Sequence, residues 1–138
     1  MLKDLVNEYN IKEKKLFDVK EKMFSLVFAR AKELKKHKDL ELLKESKIYS
    51  KMIEYIDQID ADDICSAYEN RIAFDWVETW RFGGREKHHA VVSEDFFDND
   101  VLEKTIKEIL KKKEAESAEE IAIKQKQFLK LKEELKID

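Results

Sequence analysis

Gly83 and Gly84 are the only glycines in a chain of 138 residues that contains no proline. Glycine and proline are the residues that punctuate helices, so nothing of that kind interrupts the chain outside this one place. The pair sits in the only segment that does not read as charged helix, Arg71 to Val92, which also holds both tryptophans and two of the three histidines. There Ile72, Phe74, Trp76, Trp80 and Phe82 alternate with Arg71, Ala73, Asp75, Thr79 and Arg81. A period of two predicts a strand. The glycine pair is expected to supply the positive φ of a tight turn, and Lys87 to Val92 to return as the second strand. An isolated hairpin is marginal in water, so one face must lie on helices or pair with a further strand. Ile64 to Tyr68, turning at Glu69 and Asn70, is the candidate for that strand.

The flanking segments have helical period. From Ile11 to about Lys36, Leu16, Phe17, Met23, Phe24, Val27, Phe28, Ala31 and Leu34 recur every three or four residues, which predicts a main core helix with Phe24, Val27 and Phe28 buried. His37, in the Lys35 to Lys38 run, reads as a solvated helix end, where cations suit the dipole. A second helix from near Asp39 carries Leu40, Leu43, Ile48, Met52, Tyr55, Ile56 and Ile59 and should fold back as an antiparallel hairpin. Asp100 with Glu103 resembles a capping box opening a helix that runs to Ile137. Its apolar residues fall in two groups, Leu102, Ile106, Ile109 and Leu110, then Ile121, Phe128, Leu131 and Leu135, separated by the polar stretch Lys111 to Glu120. Pairs such as Glu103/Lys107 and Glu120/Lys124 support it by a few tenths of a kcal/mol each. A rod this polar buries little alone, so a second copy of the chain is the expected cover for its far end. The expected fold is α+β and mostly α, one domain over 1–138. It divides into a helical hairpin (1–59), a β-hairpin or three-stranded sheet (60–97) and a long, oligomerising helix (98–138).

Charged and apolar residues each make up 43% of the chain, a combination that amphipathic helices explain and disorder does not. The 28 basic and 31 acidic residues leave a formal charge of −3, which argues against a general nucleic-acid or anionic-membrane binder. No apolar run approaches the ~20 residues of a membrane helix. Cys65 is the single cysteine, so no internal disulfide is available and a buried structural thiol in a reducing cytosol is expected.

Few residues carry recognisable chemistry. The aspartates from Asp57 to Asp63 lack the glycine and closing glutamate of a calcium loop and read as a solvated turn. His88 and His89 are neighbours on a strand, face opposite ways and cannot easily share one metal. No metal ligand and no cofactor is assigned. Nucleophile elbow, P-loop, zinc and dinucleotide motifs are all missing from the sequence, so the reading is non-enzymatic. The suggestive feature is electrostatic. Residues 61–100 hold four basic and ten acidic side chains, yet Arg81, Arg85 and Lys87 cluster at the turn beside Phe82 and both histidines. Arginine forks with aromatic faces suit phosphate, a nucleobase or an acidic protein surface. The expected contact set is therefore Trp76, Trp80, Arg81, Phe82, Arg85, Lys87 and His88, against the plainer alternative that the tryptophans are core and the cations are solvated.

The run Tyr68-Glu-Asn-Arg-Ile-Ala-Phe-Asp-Trp with Trp80-Arg-Phe-Gly-Gly, followed by a charged terminal helix, resembles small uncharacterised accessory proteins of phages and prophages of low-GC bacteria. The resemblance covers roughly the C-terminal half. It implies a stoichiometric binder of the kind that inhibits host defence proteins or sequesters nucleotide signals. The expected function is a self-associating, non-enzymatic antagonist of host defence in the host cytosol, acting on a host protein or a small anionic ligand. The alternative is a coiled-coil structural or assembly adaptor.

Overall fold

A computed structural model describes residues 1–136 as a three-stranded antiparallel sheet packed on one face by helices. Helix α1 (Leu2–Lys35) starts well before Ile11, because nothing in the sequence stops it earlier. Its buried residues, Val27, Arg30, Ala31 and Leu34, all lie in its last ten positions. Phe28 is 38% exposed and Phe24 only half-buried, while Leu16 and Phe17 are exposed. The expected Phe-rich core stripe is thus corrected: the chain turns its small and branched residues inward there and leaves the Phe28 ring at the rim.

The expected second helix is present in two pieces, α2 (Leu40–Leu43) and α3 (Ser50–Tyr55). Between them Ser46 Oγ accepts the Ile48 N–H at 3.3 Å, a local bond that competes with helix continuation. The break also carries Tyr49 into full burial against Phe96, ring centroids 6.0 Å apart. At the end of α1, His37 Nδ1 accepts the Asp39 N–H at 3.0 Å. His37 therefore fastens the turn into α2 as well as ending a helix. The aspartates that follow are occupied locally. Asp57 is bound by Lys32 and Lys35, which hold its carboxyl below the usual carboxylate range, and Asp60 and Asp63 form a reciprocal capping box around the 3-10 turn Ala61–Asp63.

The sheet has the order β1 (Ile64–Tyr68), β2 (Arg71–Thr79), β3 (Arg85–Val92). Glu69 and Asn70 both take positive φ, 48° and 62°, the form a two-residue hairpin turn requires. Register pairs Phe74 with Ala90, Trp76 with His88 and Glu78 with Glu86 on the helix-facing side. The intervening Asp75/His89, Val77/Lys87 and Thr79/Arg85 pairs lie on the other side. The first face joins Phe74, Trp76 and Val92 to Leu34, Ile56 and Leu102 in one core that draws on all three segments of the chain. Each such side chain contributes about 1.5–3 kcal/mol when fully buried. Arg30 is buried with them, its Nε donating to the Phe96 carbonyl at 2.9 Å.

Helix α4 (Asn99–Lys136) is capped by Asp98, whose Oδ1 accepts from the Asp100 N–H at 2.8 Å. The cap is therefore two residues earlier than Asp100, the expected position; Asp98 is the residue with extended backbone that can reach forward. Ile137, where the helix was expected to end, lies outside the described residues. At about 1.5 Å per residue the 38-residue helix is about 57 Å long, and Leu102 and Ile106 are its buried positions among the described residues. No described helix is long and apolar enough to cross a membrane.

Candidate functional site

Strand β2 stops at Thr79, short of the Phe82 that the alternation suggested. From Trp80 the chain enters a loop closed by the Trp80 N–H donating to the Gly84 carbonyl at 2.9 Å. Phe82 (φ 74°, ψ 22°) and Gly83 (φ 80°) take the left-handed conformation, while Gly84 has φ −67°. The two glycines therefore do different things, which corrects the expectation that both supply positive φ. Gly83 supplies backbone freedom; Gly84 supplies space, because a β-carbon there would stand 2.5 Å from Trp80 Cε3. The residue that bears the unfavourable φ is Phe82, at a cost of about 1–2 kcal/mol for a non-glycine side chain. Its ring is nevertheless fully exposed, with Trp80 half-exposed and Arg81, Arg85 and Lys87 exposed around it. Among the described residues no buried surface of the Phe82 ring compensates that strain.

Trp76 and His88, also expected in the contact set, are placed elsewhere. They lie on the helix-facing side, where the His88 ring meets both Tyr55 (centroids 4.5 Å) and Trp76 (5.4 Å, stacked), which also touch each other at 5.3 Å. His88 Nε2 is 3.0 Å from Glu78 Oε2 and 3.8 Å from Glu86 Oε2, so it separates two carboxylates that sit directly opposite each other across the strands. Burial first, then a hydrogen bond to Glu78 and the charges of Glu54, Glu78 and Glu86, pushes the Tyr55 phenol up to about 12. Trp76 Nε1 is buried without a hydrogen-bond partner among the described residues. The sequence-derived set thus divides into an exposed group at the turn (Trp80, Arg81, Phe82, Arg85, Lys87) and an internal pair (Trp76, His88).

The open face of the sheet carries a third group that the sequence reading missed. Register shifts between Ile64 and Ser66, so that Cys65 is an extra residue opposite Ala73. This bulge aims the thiol outward. Cys65 is exposed, not buried as expected, and its Sγ is 3.5 Å from the Ala73 carbonyl. His89 Nδ1 contacts Asp75 Oδ1, and the Cys65, Asp75 and His89 donor atoms all lie within 4.8 Å of one another. The hydrogen bonds from His89 and then Cys65 hold the Asp75 carboxyl below its usual range. The imidazole thus addresses the Asp75 carboxylate, while the thiol also reaches the Ala73 carbonyl. The only legible hint was that Asp75 and His89 would face each other across the hairpin; a bulge leaves no signature in composition or period.

Both long helices expose apolar stripes away from the core. On α1, Leu2, Leu5, Tyr9, Leu16, Val19 and Leu26 are exposed at positions a three-four spacing aligns, interrupted by Lys12, which pairs with Glu8. On α4, Ile121, Phe128 and Leu135 recur every seven residues with Leu131 between, all exposed. This is the a/d pattern of helices that associate in pairs.

Comparison of the chain with protein-family models, with curated proteins and with solved structures finds no match.

Proposed function

We propose that this chain is a non-enzymatic, self-associating binding protein that antagonises a bacterial host defence system in the host cytosol by occluding a host protein. The observation that carries the reading is Phe82: a large aromatic ring held in left-handed backbone and fully exposed between Arg81 and Arg85. Folding does not benefit from it, whereas protein interfaces concentrate their binding energy in aromatic and arginine anchors. The histidine–carboxylate contacts of this hairpin join His88 to Glu78 and Glu86 and His89 to Asp75, and neither Arg81 nor Arg85 is paired with a carboxylate among the described residues, which suits an acidic patch on the partner. The resemblance of this segment to accessory proteins of phages and prophages supports a host defence protein as the partner.

The turn favours a protein over a small anionic ligand. A small-molecule site encloses most of its ligand, but Phe82 and its arginines stand on a projecting loop. A depression of about 420 Å³ on the same hairpin is lined by Asp75, Trp76, Val77, Lys87, His88 and His89 and by neither arginine. The adaptor reading draws on a different observation, the exposed stripes of α1 and α4, and these equally serve self-association of a binder.

A tagged chain incubated with bacterial lysate tests the proposal, with an Arg81→Ala/Arg85→Ala double mutant as control. The expected result is a co-purifying protein that the double mutant fails to retain while keeping its helical circular dichroism, since exposed turn cations add little to folding. A small molecule released on denaturation, with no protein captured, would transfer the proposal to ligand sequestration. Capture that survives the double mutation but not substitutions on α4 would favour the adaptor.

A further inference from the structure

The open face of the sheet assigns a role to the side chains that the turn does not use. We propose that Cys65, Asp75 and His89 form a zinc-type metal site on that face, taking one transition-metal ion per chain through a thiolate, a carboxylate oxygen and His89 Nδ1. The three donors come from three different strands, and their atoms already lie within 4.8 Å of one another. With Zn–S near 2.3 Å and Zn–N and Zn–O near 2.0–2.2 Å, tetrahedral ligands sit roughly 3.3–3.8 Å apart. Adjustment of side-chain torsions suffices, with the metal taking the place of the direct His89–Asp75 contact.

Three features favour this set as a site. The bulge between Ile64 and Ser66 turns the Cys65 thiol out of the sheet and onto the same patch as Asp75 and His89. An unbridged, exposed thiol is otherwise a liability on a protein surface. The strand bearing His89 is fixed from behind by Lys51, whose Nζ donates to the His89 carbonyl at 2.9 Å, so the ligand-bearing backbone is held before a metal arrives. The donor chemistry selects the metal. A thiolate with an imidazole suits zinc, cobalt or copper, whereas calcium and magnesium take all-oxygen sets. Three protein ligands leave a fourth position for water or for a donor from a bound partner.

The other cluster, Glu78, Glu86 and His88, is a weaker candidate because His88 is buried against the Tyr55 and Trp76 rings and its Nε2 is already hydrogen-bonded to Glu78. It provides the control.

The full chain, stripped with chelator, would be titrated with Co²⁺ as a spectroscopic substitute for Zn²⁺. The expected result is one cobalt per chain with a thiolate-to-metal charge-transfer band, displaced by Zn²⁺. Cys65→Ser should lose the band, Asp75→Asn and His89→Ala should weaken binding by about tenfold or more, and Glu86→Gln, at the exposed member of the other cluster, should leave it unchanged. In the unmodified chain, Zn²⁺ should also slow alkylation of Cys65 by about tenfold, a readout that needs no variant to fold. Absence of the charge-transfer band, or a band that persists at parental affinity in both Asp75→Asn and His89→Ala, would overturn the site. One metal per two chains would overturn it as well, since the thiols would then be bridging copies.

Discussion

The Trp80 ring lies over the Gly84 backbone so closely that a β-carbon at Gly84 would stand 2.5 Å from Trp80 Cε3. Gly84→Ala should therefore push the indole away and reshape the loop that presents Phe82. Gly83→Ala has open space but puts alanine at φ +80°, a strain of about 1–2 kcal/mol. Both variants should melt lower, Gly83→Ala by about 3–6 °C for a domain this size, but only Gly84→Ala should shift tryptophan fluorescence. Parental fluorescence and melting for Gly84→Ala would show that Trp80 does not pack there.

Phe82 is expected to trade stability for contact. Phe82→Asn keeps a β-carbon but places a residue that tolerates left-handed backbone, so its stability should equal the parent's or exceed it by up to about 1 kcal/mol. Partner capture should fall in the same variant. Chemical denaturation and the lysate experiment read the two effects separately, and a destabilised Phe82→Asn would mean that the ring is packed after all.

The core can be located with two phenylalanines. Phe74 is fully buried at the centre of the sheet, and Phe74→Ala should cost about 3–5 kcal/mol. Phe28 sits at the rim, 38% exposed beside the half-buried Phe24, and Phe28→Ala should cost less than half as much. Equal losses in the two variants would return Phe28 to the core.

The same two residues show what the sequence could and could not reveal. Phe74 was legible because a strand has only two faces, and alternation assigns one of them to the core. Phe28 was not, because a helix presents a continuous surface. Val27, Ala31 and Leu34 define a stripe only slightly rotated from the one that includes Phe28, and the sheet and Phe96 decide which is covered. The split of the second helix was partly written in spacing: Leu43 to Ile48 is a step of five, out of phase with helical period. The turn at Glu69 and Asn70 was legible from its residue types. The displacement of Phe82 out of the strand was not, since alternation continued through it and only the Trp80–Gly84 packing shows where the strand must end. The Cys65, Asp75 and His89 group depends on a register shift, which is a property of pairing between segments and absent from either segment alone.

Tyr55 should make stability fall at high pH. Its phenol is raised from 10.0 in a model peptide to about 12 by burial, the Glu78 hydrogen bond and nearby carboxylates. A group whose folded pKa is raised holds its proton more tightly in the folded state, so its stabilisation is complete below pH 10 and is lost as pH rises toward 12. Tyr55→Phe cannot titrate, and its melting temperature should decline less over that interval. Tyr49, also raised by burial, will leave a residual slope. Identical slopes in parent and variant would remove Tyr55 from the account.

Self-association is the expectation for α4, of which the chain itself covers little. Beyond Leu110 the described side chains of this helix are exposed, and the polar stretch from Lys111 to Glu120 gives it no apolar face of its own. Most helical stability in proteins comes from packing of an amphipathic face, and the exposed stripe of Ile121, Phe128, Leu131 and Leu135 offers such a face for a second copy to cover. A parallel or antiparallel copy supplies seven-residue spacing to match. Light scattering at micromolar concentration should give at least twice the 16.5 kDa of one chain. Phe128→Glu should return the mass to that of a monomer and lower helical circular dichroism, because the end of α4 frays once its cover is gone. A parent chain that is monomeric with full helicity would show that the rod stands alone on its i,i+4 ion pairs; a Phe128→Glu variant that remains dimeric would move the interface to the exposed stripe of α1, where Leu5→Glu and Leu16→Glu become the decisive substitutions.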